Sequence, residues 1–137
     1  MQSKSSGFTL IEVLVATGIV VTVAAGAAAL LGIAIRHDLQ SRRQLAMAAA
    51  AAAKVDELVG TIATLPAPSS AGGALDRAVA GYVDTVSMAG FALERRWELS
   101  PLATSSPGAV AVVVRVSAVA AAAGDYELAT IAEARTP

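Results

Sequence analysis

Two periodicities divide the chain. From Phe8 to Ile35 run 28 residues in which Glu12 is the sole charge and Thr9, Thr17 and Thr22 are the only other polar side chains. As a helix rising 1.5 Å per residue this run reaches about 42 Å, more than the roughly 30 Å of a bilayer's hydrocarbon core. Gly18, Gly26 and Gly32 lie inside it. Glycine is tolerated in membrane helices and lets neighbouring helices approach closely. Beyond Ile35 the apolar positions Leu45, Ala48, Ala52, Val55, Leu58, Val59, Ile62 and Leu65 recur at steps of three and four. That spacing predicts an amphipathic helix, and the run Ala48–Ala53 has the highest helix propensity. Pro66 and Pro68 stop the pattern, and Ser69, Ser70, Gly72 and Gly73 read as a loop. One helix is therefore expected from about Phe8 to Leu65, its first half in the membrane.

After the prolines the period falls to two. Tyr82–Val86 reads as a short strand and Ser87–Gly90 as a turn. In Phe91–Leu99, the residues Phe91, Leu93, Trp97 and Leu99 share one face, which Arg95 interrupts at an edge or rim. Pro101–Gly108 reads as a loop, valine-rich Ala109–Ala118 as a central strand and Gly124-Asp125 as a turn. Tyr126–Ala134 reads as a last strand, with Tyr126, Leu128 and Thr130 on one face. The expected fold class is α+β: a long N-terminal helix packed on a small antiparallel sheet of three or four strands. A head of this size buries little surface, so the helical tract Val55–Leu65 should supply much of its stability.

Composition narrows the function classes. Hydrophobic residues make up 55% of the 137 positions, charged residues 15%, and the net charge is -1. This is not the composition of a disordered chain, and no basic stripe marks a nucleic-acid binder. The absence of cysteine excludes disulfides, thiolate metal sites and thiol catalysis. His37, the one histidine, has no second ligand at metal spacing and reads as a solvated residue just after the span. Asp125 and Glu127 fall short of the six to eight oxygens that calcium takes. A Ser-His-Asp triad has no credible geometry with its histidine in a juxtamembrane helix. Neither an enzyme nor a cofactor is expected.

Glu12 is what remains. A carboxylate within a spanning helix costs on the order of 2.5–3.5 kcal/mol at the bilayer centre and marks a functional site by default. A cleaved secretory signal does not explain the run, because such apolar regions are far shorter. The stretch Gly7-Phe8-Thr9-Leu10-Ile11-Glu12-Val13-Leu14-Val15-Ala16 resembles the prepilin processing signal of type IV pilins and type II secretion pseudopilins. There, a short polar leader ends in glycine, phenylalanine follows, and a glutamate lies four residues further on in a hydrophobic helix. Less specifically, the Arg95-Arg96-Trp97, valine-rich and Tyr126–Thr130 strands are similar to the C-terminal layout of small minor pilins. The tract Ala48–Leu58 is similar to their exposed helix.

The resemblance implies a role for each matching position. A prepilin peptidase would cut after Gly7, Phe8 would become the N-terminus and be N-methylated, and Glu12 would pair with a neighbouring subunit's N-terminal amine. Residues 1–7 would be the leader, 8–35 the transmembrane and assembly helix, 36–65 its amphipathic continuation and 66–137 the β head. Implied partners are other pilin or pseudopilin subunits, the peptidase/methylase, an inner-membrane assembly platform and the lipid bilayer. The chain lacks the proline that major pilins carry within the first helix, and their C-terminal disulfide loop. Both departures point to a minor subunit, most like the minor pilin V or minor pseudopilin I types. The alternative is a single-pass anchored module that binds a ligand, such as DNA during uptake or an exported substrate, without polymerising; in the assembled reading, nucleic acid would be met only at a pilus tip. One rule opposes the implied orientation. Arg36, Arg42 and Arg43 follow the span and Lys4 precedes it, which on charge alone favours a cytoplasmic C-terminal part. The processing motif outweighs that small difference.

Overall fold

The structure is a computed structural model that describes residues 8–64, 71–102, 108–119 and 124–133. It is α+β, with one helix, α1 (Leu10–Thr64), followed by an antiparallel sheet. The chain divides into two compact units, Met1–Gln40 and Ser41–Pro137.

In the first unit every described residue is exposed except Gly32, which is half-buried. Leu10, Leu14, Val20 and Leu30 are each at least 65% exposed. A helix that is apolar all round is suited to lipid or to neighbouring helices rather than to water. It is long and apolar enough to cross a membrane.

The second unit is the head. Its strands are β1 (Gly72–Gly73), β2 (Val83–Met88), β3 (Phe91–Pro101), β4 (Ala109–Ala118) and β5 (Tyr126–Glu133). The order is β1-β3-β4-β5, and β2 lies beside β1 along the same edge of β3. β4 matches the range expected from its valines. Val112, Val114 and Val116 are fully buried, while Val113, Arg115 and Ser117 on the other face are half-buried. Each fully buried aliphatic side chain contributes about 1.5–3 kcal/mol. Trp97 and Leu93 complete the sheet side of the core, against Met47, Ala50, Ala51, Val55 and Ile62 of α1. Ala50 and Ala51 have no exposed surface, so their lack of bulk brings helix and sheet close.

The sheet has five strands where three or four were expected, Ser87 and Met88 belong to β2 rather than to the turn, and four further local expectations change. The buried face of α1 is rotated from the predicted stripe: Leu45 is 71% exposed and Ala52 is also exposed, whereas Met47, Ala51 and Lys54 are buried. A run of alanines gives no contrast between faces, and a lysine does not read as a core position. For the same reason Ala48–Leu58 is not an exposed tract, since Lys54 and Val55 are buried and Leu58 is half-buried. Arg95 is not at a rim: it lies on β3 between β2 and β4, and its side chain is 13% exposed. Gly72 and Gly73 form a strand rather than a loop. Gly73 has φ of +89°, and a Cβ there would overlap the Trp97 carbonyl oxygen. Leu65, Pro66, Pro68, Ser69, Ser70 and most of the Pro101–Gly108 loop lie outside the described residues. The β2–β3 turn is Ala89-Gly90, with φ of 52° and 82°, the two positive values that a type I′ hairpin requires.

Candidate functional site

Helix α1 begins at a reciprocal cap. Val13 N–H donates to the Thr9 carbonyl at 3.3 Å, the first i to i−4 bond, which makes Thr9 the N-cap residue. Glu12 is then the third helical position. Its amide donates to Thr9 Oγ1 at 3.3 Å. Its carboxylate Oε2 accepts from both the Thr9 amide and the Thr9 hydroxyl, each at 2.9 Å. This is a capping box, which satisfies two helix N-terminal donors at once. The positive end of the helix dipole also favours a carboxylate there. The signature Thr9-x-x-Glu12 before an apolar run was legible in the sequence; reading Glu12 as a contact between subunits passed over it.

The remaining polar groups of the segment are used internally. Thr17 Oγ1 donates to the Val13 carbonyl at 2.7 Å and Thr22 Oγ1 to the Gly18 carbonyl at 2.8 Å. At the far end Arg36 Nε reaches back to the Gly32 carbonyl at 3.1 Å. Glu12 is thus the one ionised side chain on this apolar surface, and shallow apolar grooves flank it on both sides. Val13, Thr17 and Val20 line one groove, Ile11, Val15 and Ile19 the other, and Phe8 and Ala16 border both. Phe8 is 86% exposed. Gly7, the proposed residue before the cut, lies outside the described residues.

The head holds a second polar constellation, between α1 and the sheet. Arg95 grips Asp84 with two hydrogen bonds, Nε to Oδ1 and Nη2 to Oδ2, both 2.7 Å. Lys54 descends from α1 to within 3.4 Å of Asp84 Oδ2 and 2.8 Å of Glu57 Oε1. Its ammonium sits 4.0 Å above the centre of the Trp97 ring, in range for a cation–π contact. Burial pushes the Asp84 carboxyl up, but the Arg95 hydrogen bonds and the charges of Arg95 and Lys54 outweigh it and hold it below its ordinary value. The cluster joins three elements through one carboxylate. Separation in sequence hid it: Asp84 and Arg95 meet when β2 pairs with β3, and Lys54 joins them only once the helix docks.

His37 is exposed beside Ile33, Arg36 and Gln40. Glu127 is engaged by Arg115 at 3.1 Å. Among the described residues no group of three or more His, Cys, Asp or Glu side chains is placed to hold a metal ion.

Residues 2–28 match the family model for the prokaryotic N-terminal methylation motif. The match covers the Gly7–Phe8 junction, the capping box and most of the apolar segment, and does not extend to the head. No curated protein and no solved structure matches the chain.

Proposed function

We propose that the protein is a minor pilin or pseudopilin, cut between Gly7 and Phe8, N-methylated at Phe8, and assembled into a type IV pilus or type II secretion pseudopilus. The observation that carries this is the methylation motif running directly into an apolar helix whose single carboxylate stands at the third helical position. In a permanent anchor that carboxylate serves only as a helix cap. A subunit that leaves the bilayer for a bundle of like helices does, because a neighbour's N-terminal ammonium removes the cost of burying it. The pairing would favour polymer over monomer and set the axial stagger between subunits. In this reading the protein spans the inner membrane once, with its head outside the cytoplasm, and its partners are other pilin-like subunits, the peptidase and the assembly platform.

Processing tests the reading. Mass spectrometry of the chain from cells with a prepilin peptidase should find a mature protein starting at methylated Phe8. A chain that still begins at Met1 would refute the proposal in favour of an anchored binding module, and one beginning near Ala27, within the Ala-x-Ala-like stretch Ala25–Ala29 that a signal peptidase would accept, would point to a secretory signal.

A further inference from the structure

Thr9 stands between the bond to be cut and the carboxylate, and its amide N–H and its hydroxyl both bond to Glu12. We propose that Thr9 is a positioning residue for assembly: it holds the Glu12 carboxylate by Oε2 and leaves Oε1 open for the ammonium of an incoming subunit. The proposal rests on the assembly reading above and adds to it the residue that presents the charge.

The two carboxylate oxygens are used unequally. Oε2 takes both Thr9 donors, and among the described residues no hydrogen bond reaches Oε1. A carboxylate offers about four acceptor sites, so an arriving ammonium adds to the Thr9 bonds and need not displace them. Holding the side chain in one rotamer also removes ordering entropy that would otherwise be lost at the encounter. Before any neighbour arrives, the Thr9 amide, its hydroxyl and the helix dipole are, among the described residues, the groups that stabilise this charge in an apolar surface.

Maturation leaves this device intact. Cleavage breaks the Gly7–Phe8 peptide bond, and methylation alters the Phe8 nitrogen. The Thr9 amide belongs to the next peptide unit, and its hydroxyl takes part in neither step. The box that caps the precursor therefore caps the mature subunit, with the new α-amine one residue before the cap. The amine is free to leave toward a neighbour's Glu12 while its own Glu12 stays held by Thr9.

The experiment uses the full chain, co-expressed in membranes with the pilin-like subunits of its host, and reads chemical cross-linking to those subunits per cleaved chain, so that slower cutting does not enter the measure. Thr9→Val keeps the shape and the amide but loses the hydroxyl. It should lower cross-linking about tenfold, the factor that corresponds to about 1.4 kcal/mol. Membrane insertion should be unchanged, and Thr9→Ser should restore the wild-type yield. In a Glu12→Gln background, Thr9→Val should cause no further loss, since there is no charge left to position. If Thr9→Val costs as much in that background as alone, Thr9 is only a helix cap and the proposal fails. If Thr9→Val keeps wild-type cross-linking while Glu12→Gln loses it, the positioning role fails and the Glu12 pairing stands. If Glu12→Gln itself keeps wild-type cross-linking, the pairing fails, and the positioning role with it.

Discussion

Asp84→Asn tests the polar cluster under the helix. The substitution keeps the size of the side chain and removes the one charge shared by Arg95 and Lys54. Arg95, 13% exposed, would be left beside Lys54, 7% exposed, with no carboxylate between them. Removing one partner of a buried ion pair typically costs about 3–5 kcal/mol. Two features reduce that here: the Asp84 side chain is 33% exposed, and Lys54 retains Glu57 at 2.8 Å. We expect a loss of about 2–3 kcal/mol, the range for buried pairs discounted for solvent screening. That is a large share of the stability of a small domain, about 5–15 kcal/mol. Trp97 is the only tryptophan and lies in this cluster, so its fluorescence in a urea titration of the detergent-solubilised chain reports the head alone. The midpoint should fall with the slope unchanged. Acid provides an independent check. The folded Asp84 carboxyl titrates below its ordinary 3.8. Its contribution is therefore fully present above the unfolded value and is lost as pH falls through the lower, folded one. The stability difference between wild type and Asp84→Asn should accordingly shrink below about pH 4, from the carboxylate reference range. A midpoint shift worth less than about 0.5 kcal/mol, within the usual scatter of surface substitutions, would refute the view that Asp84 neutralises buried cations.

Three further outcomes follow from the packing. Trp97→Ala should destabilise the head by about 3–5 kcal/mol, as deleting a buried large aromatic does, read by the far-ultraviolet circular dichroism melt. Ala89→Asn should raise the melting temperature, by about 0.5–1 kcal/mol in stability, because Asn relieves an L-residue held at positive φ in a type I′ turn; an unchanged or lower value would argue against that turn. Gly73→Ala should destabilise by more than about 1 kcal/mol, since positive φ and the Trp97 carbonyl leave no place for a Cβ, and the same urea titration measures it.

What the sequence by itself determined is what depends on neighbours along the chain. The apolar segment and its lone carboxylate are contiguous, and the capping box spans four residues, Thr9 to Glu12, so hydropathy and spacing suffice to find them, whereas the Gly7–Phe8 junction reads only through the resemblance to a processing signal. The valine alternation of β4 also reads directly, because a strand buried on one face repeats every two residues whatever lies above it. Tertiary structure decided where charge enters the core. Arg95 reads as a break in an apolar face until Asp84 of the neighbouring strand stands opposite it. Lys54 reads as solvated until Trp97 and Asp84 receive it. The alanine tract of α1 specifies a helix but not which face is buried, since its side chains are nearly alike. That rotation is set by which face of the helix lets Met47, Val55 and Ile62 reach the sheet while Lys54 finds a carboxylate. Such a choice compares burial energies between segments distant in sequence, and no local pattern carries that comparison.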